Sequence, residues 1–331
     1  MSSDSEYKII QPPGQTRPYP QPTKTGRIPF EYSPTGLKGE TWYQQWGDLS
    51  TSKQTPLICL HGGPGVPSNY LLPISLIHTD YSIPVIMYHQ IGCGESTHFK
   101  DKKGDTAFWT PALFMAELDN LKSYLDIKEF DLLGQSWGGM LAAQYAIERQ
   151  PPNLRKLVIS NSPSNMTHWV RVANKLRSAL PKAVQETLDR CEREGKTDTE
   201  EYESAVAVFY SRHACRLDPW PQELNDAFAY MKQDNTVYET MNGPSEFHVI
   251  GSLKTWSITE ELGKITAETA PGGLLVMNGY FDEAQDETVE PYFLRPTCRT
   301  RWVRYALSSH MPELEETDAY VRDLGMFLMS G

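Results

Sequence analysis

The sequence predicts an α/β fold, a doubly wound and mostly parallel sheet with an inserted helical cap. Three observations point there. Short apolar runs bounded by turn residues recur along the chain, continuous rather than alternating, as strands buried on both faces require. Between several of them the apolar residues fall at helical spacing. Residues 163–245 differ: they are charged, helical in pattern and poor in strand signal.

Taken in chain order, residues 1–25 are proline-rich and polar. They are expected to form an extended arm or a disordered tail whose removal matters little to function. Strands are predicted at 56–60, 84–88, 131–133, 156–160, 273–278 and 301–305, each a short apolar run. Between the second and third, Leu113, Phe114, Leu118, Leu121 and Leu125 recur at three and four residues and predict a helix over 113–125. After the fourth strand, 171–180, 181–194, 199–212 and 222–232 read as helices. The domain reading is an arm over 1–25, a core over 26–162 and 246–331, and a cap over 163–245. A block inserted there covers the C-terminal edge of the sheet, where ligands of such sheets bind.

Composition narrows the function. The net charge of −11 argues against nucleic acid and anionic membranes as partners. No apolar run is long enough to span a bilayer. The start of the chain has no basic segment followed by an apolar one, so the cytoplasm is the expected location. There are five cysteines, an odd number without C-x-x-C spacing, so neither a disulfide framework nor a zinc site is indicated. Cys59 falls in a strand and Cys93 in a glycine-rich loop that could approach the site. No P-loop and no H-E-x-x-H are present, and no cofactor or metal is expected.

The chemistry is carried by Gly134-Gln135-Ser136-Trp137-Gly138-Gly139. It follows the apolar run 130–133 and precedes the helical stretch 140–146. Strand, G-x-S-x-G, helix is a nucleophile elbow, whose sharp turn presents the Ser136 hydroxyl to a cleft. Serine needs a base, and the base needs an orienting acid, in the chain order Ser, acid, His. His310, in a loop between the last strand and the last helix, is the expected base; His248 reads as a packing or cap residue. Asp282, past the strand 273–278, is the expected acid, with Asp286 a loop cap instead. His61-Gly62-Gly63-Pro64-Gly65 supplies the oxyanion loop. Its expected donors are the N–H groups of Gly63 and Trp137, with Gly62 the second choice to Gly63.

Together, the His61–Gly65 and Gly134–Gly139 motifs resemble the prolyl aminopeptidases (proline iminopeptidases). So do Met241-Asn242-Gly243-Pro244-Ser245-Glu246-Phe247 and Gly279-Tyr280-Phe281-Asp282-Glu283. The resemblance runs from about residue 35 to the end. It implies an α/β-hydrolase core with a helical cap, and a substrate with a free α-amino group held by Glu246 and Glu283. A carboxylate pair at the pocket end would bind the ammonium and reject blocked amines. One departure stands out: the family's D-Q-R-G-x-G-x-S is here His89-Gln90-Ile91-Gly92-Cys93-Gly94-Glu95-Ser96, which leaves the triad intact and puts the pocket's shape in question. The expected activity is hydrolysis of an N-terminal residue or amide from a small molecule or short peptide through an acyl-enzyme. The alternatives are an esterase or thioesterase indifferent to the amine, and a non-catalytic ligand-binding homologue.

Overall fold

The computed structural model describes residues 10–331. Eight strands form one sheet: β1 (Lys24–Tyr32), β2 (Leu37–Trp46), β3 (Leu57–Leu60), β4 (Val85–His89), β5 (Phe130–Gln135), β6 (Leu154–Ser160), β7 (Leu274–Gly279) and β8 (Thr300–Tyr305). Their order is β1-β2-β4-β3-β5-β6-β7-β8, parallel from β4 to β8 and antiparallel at β1–β2 and β2–β4. Every residue of β3, β4, β5 and β7 is buried, the burial that continuous apolar runs require. The helices α1 (Leu76–Tyr81), α2 (Pro111–Tyr124) and α3 (Trp137–Arg149) follow β3, β4 and β5. Two apolar clusters cover the two faces of the sheet: one contains Leu132, Ile159 and Val276, the other Leu133, Val158 and Leu275. Alternate residues of one strand thus feed opposite layers.

The first two strands were not anticipated. β1 is one arm of a hairpin and is exposed along much of its length; its burial alternates from Gly26 to Tyr32, but glycine on the inner side and proline on the outer one weaken that contrast in the sequence. It begins at Lys24, inside the segment read as an arm. The rest of that segment also differs from a loose tail. Gly14 N–H donates to Glu315 O at 2.9 Å, and Trp46 Nε1 donates to Pro20 O at 2.8 Å. Arg17 pairs with both oxygens of Asp80, and Arg216 donates to Ile10 O at 3.2 Å. Proline-rich chain loses little entropy on ordering, so a few such bonds hold it extended against the core. Residues 1–9 of the expected arm lie outside the described residues.

Five helices lie between β6 and β7: α4 (Met166–Arg177), α5 (Lys182–Glu194), α6 (Glu200–His213), α7 (Gln222–Gln233) and α8 (Thr236–Met241). The side chains of Asn165 and Thr199 cap α4 and α6, and Gly195, at φ 67°, ends α5 in the left-handed conformation. Ala173, Leu188, Tyr202 and Phe209 form an apolar cluster of their own with Phe247, so cap packing extends past residue 245. The end of α6 and the chain after it are stitched to the core. Glu283 N–H donates to His213 O (3.2 Å), His310 N–H to Ala214 O (3.1 Å) and Arg216 N–H to Glu315 Oε1 (2.7 Å). The helices α9 (Asp286–Leu294), α10 (Pro312–Glu315) and α11 (Thr317–Met329) complete the core.

Candidate active site

Ser136 sits between β5 and α3 at φ 55°, ψ −124°. A non-glycine residue at positive φ stores about 1–3 kcal/mol of strain, held here by the surrounding packing. Its N–H donates to Ser160 O at 2.9 Å, and its own carbonyl accepts from Gly139 and Met140. The turn needs its glycines: a Cβ on Gly134 would collide with the Gly138 carbonyl, and one on Gly138 with the Leu60 carbonyl.

Asp282 and His310 come from separate loops, after β7 and β8. His310 Nδ1 lies 2.7 Å from Asp282 Oδ1. The Asp282 carboxylate also accepts from Ala284 N–H (2.7 Å), Asn161 Nδ2 (2.5 Å) and Gly279 N–H (3.4 Å), which fixes its orientation. With Nδ1–H donated to Asp282, Nε2 is the nitrogen left for a proton transfer. Trp169 of α4 lies edge-on to the imidazole, its centroid 5.9 Å away. The loop is braced from behind by Glu315, whose buried carboxylate accepts from Ser309 N–H (2.7 Å) and Ser309 Oγ (2.9 Å).

Gly62 and Gly63 differ in a way the sequence could not reveal. Gly62 N–H is engaged by Tyr70 Oη at 2.6 Å. Gly63 N–H and Trp137 N–H have no hydrogen-bond partner among the described residues and lie on the loop and elbow that flank Ser136. Tyr70 in turn donates to Gln135 Oε1 at 2.6 Å, and Gln135 Nε2 donates to His310 O at 3.0 Å. One Tyr–Gln bridge thus ties together the oxyanion loop, the elbow and the His310 loop. Tyr70, Gln135, Asn161 and Glu315 were missed in the sequence. Only Gln135 carried a local signal, its place inside the elbow.

A cavity of about 40 Å³ is lined by Gly63, Ser136, His310, Glu246 and Glu283, with Tyr210, Phe228, Met231 and Tyr238 contributed by the cap. Glu246 Oε1 accepts from Tyr238 Oη at 2.7 Å. Glu283 is buried; its Oε1 lies 3.8 Å from His310 Nε2, and its Oε2 has no partner. Burial pushes the Glu246 carboxyl up. Burial, Glu246 and Asp282 push Glu283 well above the usual carboxylate range.

The other residues that the sequence singled out lie elsewhere or act indirectly. His248 is in the cap, 3.7 Å from Glu192. Asp286 begins α9 and pairs with Arg304 at 2.9 Å. Cys93 is buried, with Sγ 3.2 Å from Gln90 O, and does not line the cavity. The departure at 89–91 is absorbed by the core. The His89 ring lies 4.4 Å from Trp42 and accepts from Glu95 N–H, and burial pushes it well below the usual imidazole range. Ile91 is buried, and its N–H donates to Glu117. Gln90 links the oxyanion loop to the elbow. Its Oε1 accepts from the Trp137 indole at 2.9 Å, and its Nε2 donates to His61 O at 3.0 Å. Neither His89 nor Ile91 lines the cavity. No group of metal-binding side chains is found among the described residues.

A family profile described as the α/β hydrolase fold matches residues 55–312. The proline iminopeptidase of Heyndrickxia coagulans is 37% identical over 277 residues, spanning 83% of this chain and 91% of that one. The crystal structure of VinJ superposes with a TM-score of 0.86 at 42% identity, covering 93% of this chain and 99% of its own. That of the Mycobacterium smegmatis proline iminopeptidase gives 0.81 at 39%, covering 92% and 97%. With an eight-stranded, mostly parallel sheet, a serine at its elbow and relatives this similar over most of their length, the chain belongs to the α/β-hydrolase fold family and, within it, to the proline iminopeptidases.

Proposed function

We propose that the protein is a prolyl aminopeptidase-like serine hydrolase acting on small substrates or short peptides with a free α-amino group. The observation that carries this reading is that one cavity gathers Ser136, the Asp282-oriented His310 and two carboxyl groups, with no lysine or arginine among its lining residues. A carboxylate pair without a resident cation suits an ammonium. Ser136 Oγ attacks the substrate carbonyl, and His310 Nε2 takes its proton. The N–H groups of Gly63 and Trp137 receive the oxyanion. Collapse breaks the C–N bond, and the leaving amine departs with the proton from His310. Water then attacks the acyl-enzyme, its proton passing to His310 and on to Ser136, which restores the enzyme. Glu246 and Glu283 grip the ammonium throughout. The net charge leaves nucleic acid and membranes outside the proposed partners, and with five free, buried cysteines the cytoplasm is the proposed location. No helix is long and apolar enough to cross a membrane among the described residues.

The test is covalent labelling. A fluorophosphonate should modify a single residue, Ser136, and Ser136→Ala should be neither labelled nor active while keeping the native unfolding midpoint. Retained turnover in that variant would refute the assignment.

A further inference from the structure

The acid and the base sit on separate loops, joined directly by the bond from Phe281 N–H to Ser308 O at 2.9 Å. A stretch of the cap, His213-Ala214-Cys215-Arg216 at the end of α6, spans both loops. On the acid's loop, His213 Nδ1–H donates to Phe281 O at 2.8 Å, and His213 O accepts from Glu283 N–H at 3.2 Å. Both neighbours of Asp282 are thus held. On the base's loop, Ala214 O accepts from His310 N–H at 3.1 Å, and the Arg216 guanidinium donates to Leu307 O. The same guanidinium lies over the Phe281 ring, 3.8 Å from its centroid, and donates to Ile10 O at 3.2 Å. Arg216 N–H and Ser309 Oγ both donate to Glu315 Oε1, at 2.7 Å and 2.9 Å.

We propose that this stretch positions the acid and the base, with Arg216 as its chief positioning residue, so that the cap is part of the catalytic frame as well as a cover. The inference rests on the triad assigned above and not on the amine anchor. Arg216 is buried, and its guanidinium donates to main-chain carbonyls and forms no salt bridge among the described residues. A charge buried without an opposite one loses its hydration, so for stability alone an apolar residue would serve as well. What the guanidinium adds is direction. Its planar fork holds Leu307 O while its face holds the Phe281 ring. Leu307 leads into His310 and Phe281 into Asp282, so one rigid group sets the spacing of the two loops. The 2.7 Å contact between His310 Nδ1 and Asp282 Oδ1 requires that spacing. When the spacing loosens, the imidazole turns from its place beside Ser136, and rate is lost at saturation while binding is spared.

A neutral alkyl fluorophosphonate reads the triad without calling on the amine anchor. Ser136 Oγ attacks phosphorus, fluoride leaves, and the serine proton passes to His310, so the inactivation rate reports how well the base is placed. Arg216→Met keeps an apolar stem beside Phe281 and removes the donors. Well below its unfolding midpoint, the full-length variant should be inactivated roughly tenfold more slowly than the wild type. Its kcat on an aminoacyl anilide should fall by about the same factor, with KM within about twofold. His213→Phe keeps the packing on Phe209 and loses the bond to Phe281 O, and it should slow inactivation roughly fivefold. A folded Arg216→Met protein inactivated within about twofold of the wild type, or one whose loss lies in KM, would overturn this inference alone. Where Arg216→Met does not fold, the half-buried His213 decides: an unchanged inactivation rate in His213→Phe would overturn it equally. A wild type that the reagent leaves unlabelled would bring down the triad and this inference together.

Discussion

Replacing Tyr70 with phenylalanine removes one oxygen and cuts the bridge between three loops of the site. Tyr70 is 1% exposed, and its hydroxyl both accepts from Gly62 N–H and donates to Gln135 Oε1, each at 2.6 Å. The variant leaves two buried polar groups without partners, costing about 1–3 kcal/mol each in stability. The rate suffers separately. Gly62 precedes the proposed oxyanion donor Gly63, and one such donor is worth about 3 kcal/mol of barrier. If the freed loop forfeits half of that, kcat falls roughly tenfold. KM should change little, because the anchoring carboxyl groups lie on other segments. The assay is steady-state release of p-nitroaniline from an aminoacyl anilide, well below the unfolding temperature and paired with urea unfolding. A folded Tyr70→Phe protein with kcat within about twofold of the wild type would refute the bridge as a positioning device.

Two further predictions concern regions away from the chemistry. Deleting residues 1–23 removes the contacts of Gly14, Arg17 and Pro20 with the core and the bond from Arg216 to Ile10. The unfolding midpoint should drop measurably, by about 1–3 kcal/mol in stability, and an unchanged midpoint would restore the reading of a dispensable tail. Burial pushes Glu117 up to about 8, while Thr41 Oγ1–H and Ile91 N–H pull the other way. A folded-state value above the unfolded one means that the neutral form stabilises the fold. That stability is whole below the ordinary carboxylate range and lost as pH rises through about 8. Glu117→Gln cannot ionise, so between pH 5 and 8 it should lack a decline of up to about 1.4 kcal/mol per pH unit. Identical pH dependence of the urea midpoint in both proteins would contradict this.

The parallel core was legible because a strand buried on both faces must be apolar throughout: residues 56–60 and 84–88 announce β3 and β4 by composition alone. The elbow was legible because few side chains tolerate so tight a turn, which leaves glycines around the serine. The edge hairpin β1–β2 was not. Half-exposed strands alternate, and Pro29 and Gly26 blur the period. Nor was the ordered arm, since proline-rich composition describes the free chain and says nothing of the surface it meets. Within the site, Ser136, Asp282 and His310 could be placed by order and loop position, whereas Tyr70, Asn161 and Glu315 have no motif. They reach the site across contacts as distant in sequence as Asn161 to Asp282, which only the folded chain defines. The anchoring roles of Glu246 and Glu283 became visible only through resemblance: an isolated glutamate in a polar segment looks like any solvated one, and Glu283 by position is only the neighbour of the triad's acid.

The central claim is that a free amine, gripped by carboxyl groups in the cavity, is required for turnover at Ser136. The most direct measurement compares prolyl, alanyl, leucyl and phenylalanyl p-nitroanilides with their N-acetylated counterparts, in the wild type and in Glu246→Gln. The wild type should cleave the free forms and spare the acetylated ones, and the Glu246→Gln protein should lose most of its rate on the free forms alone. Equal cleavage of free and acetylated substrates, or equal loss on both in the variant, would contradict the amine anchor and favour an acyl hydrolase that ignores the amine.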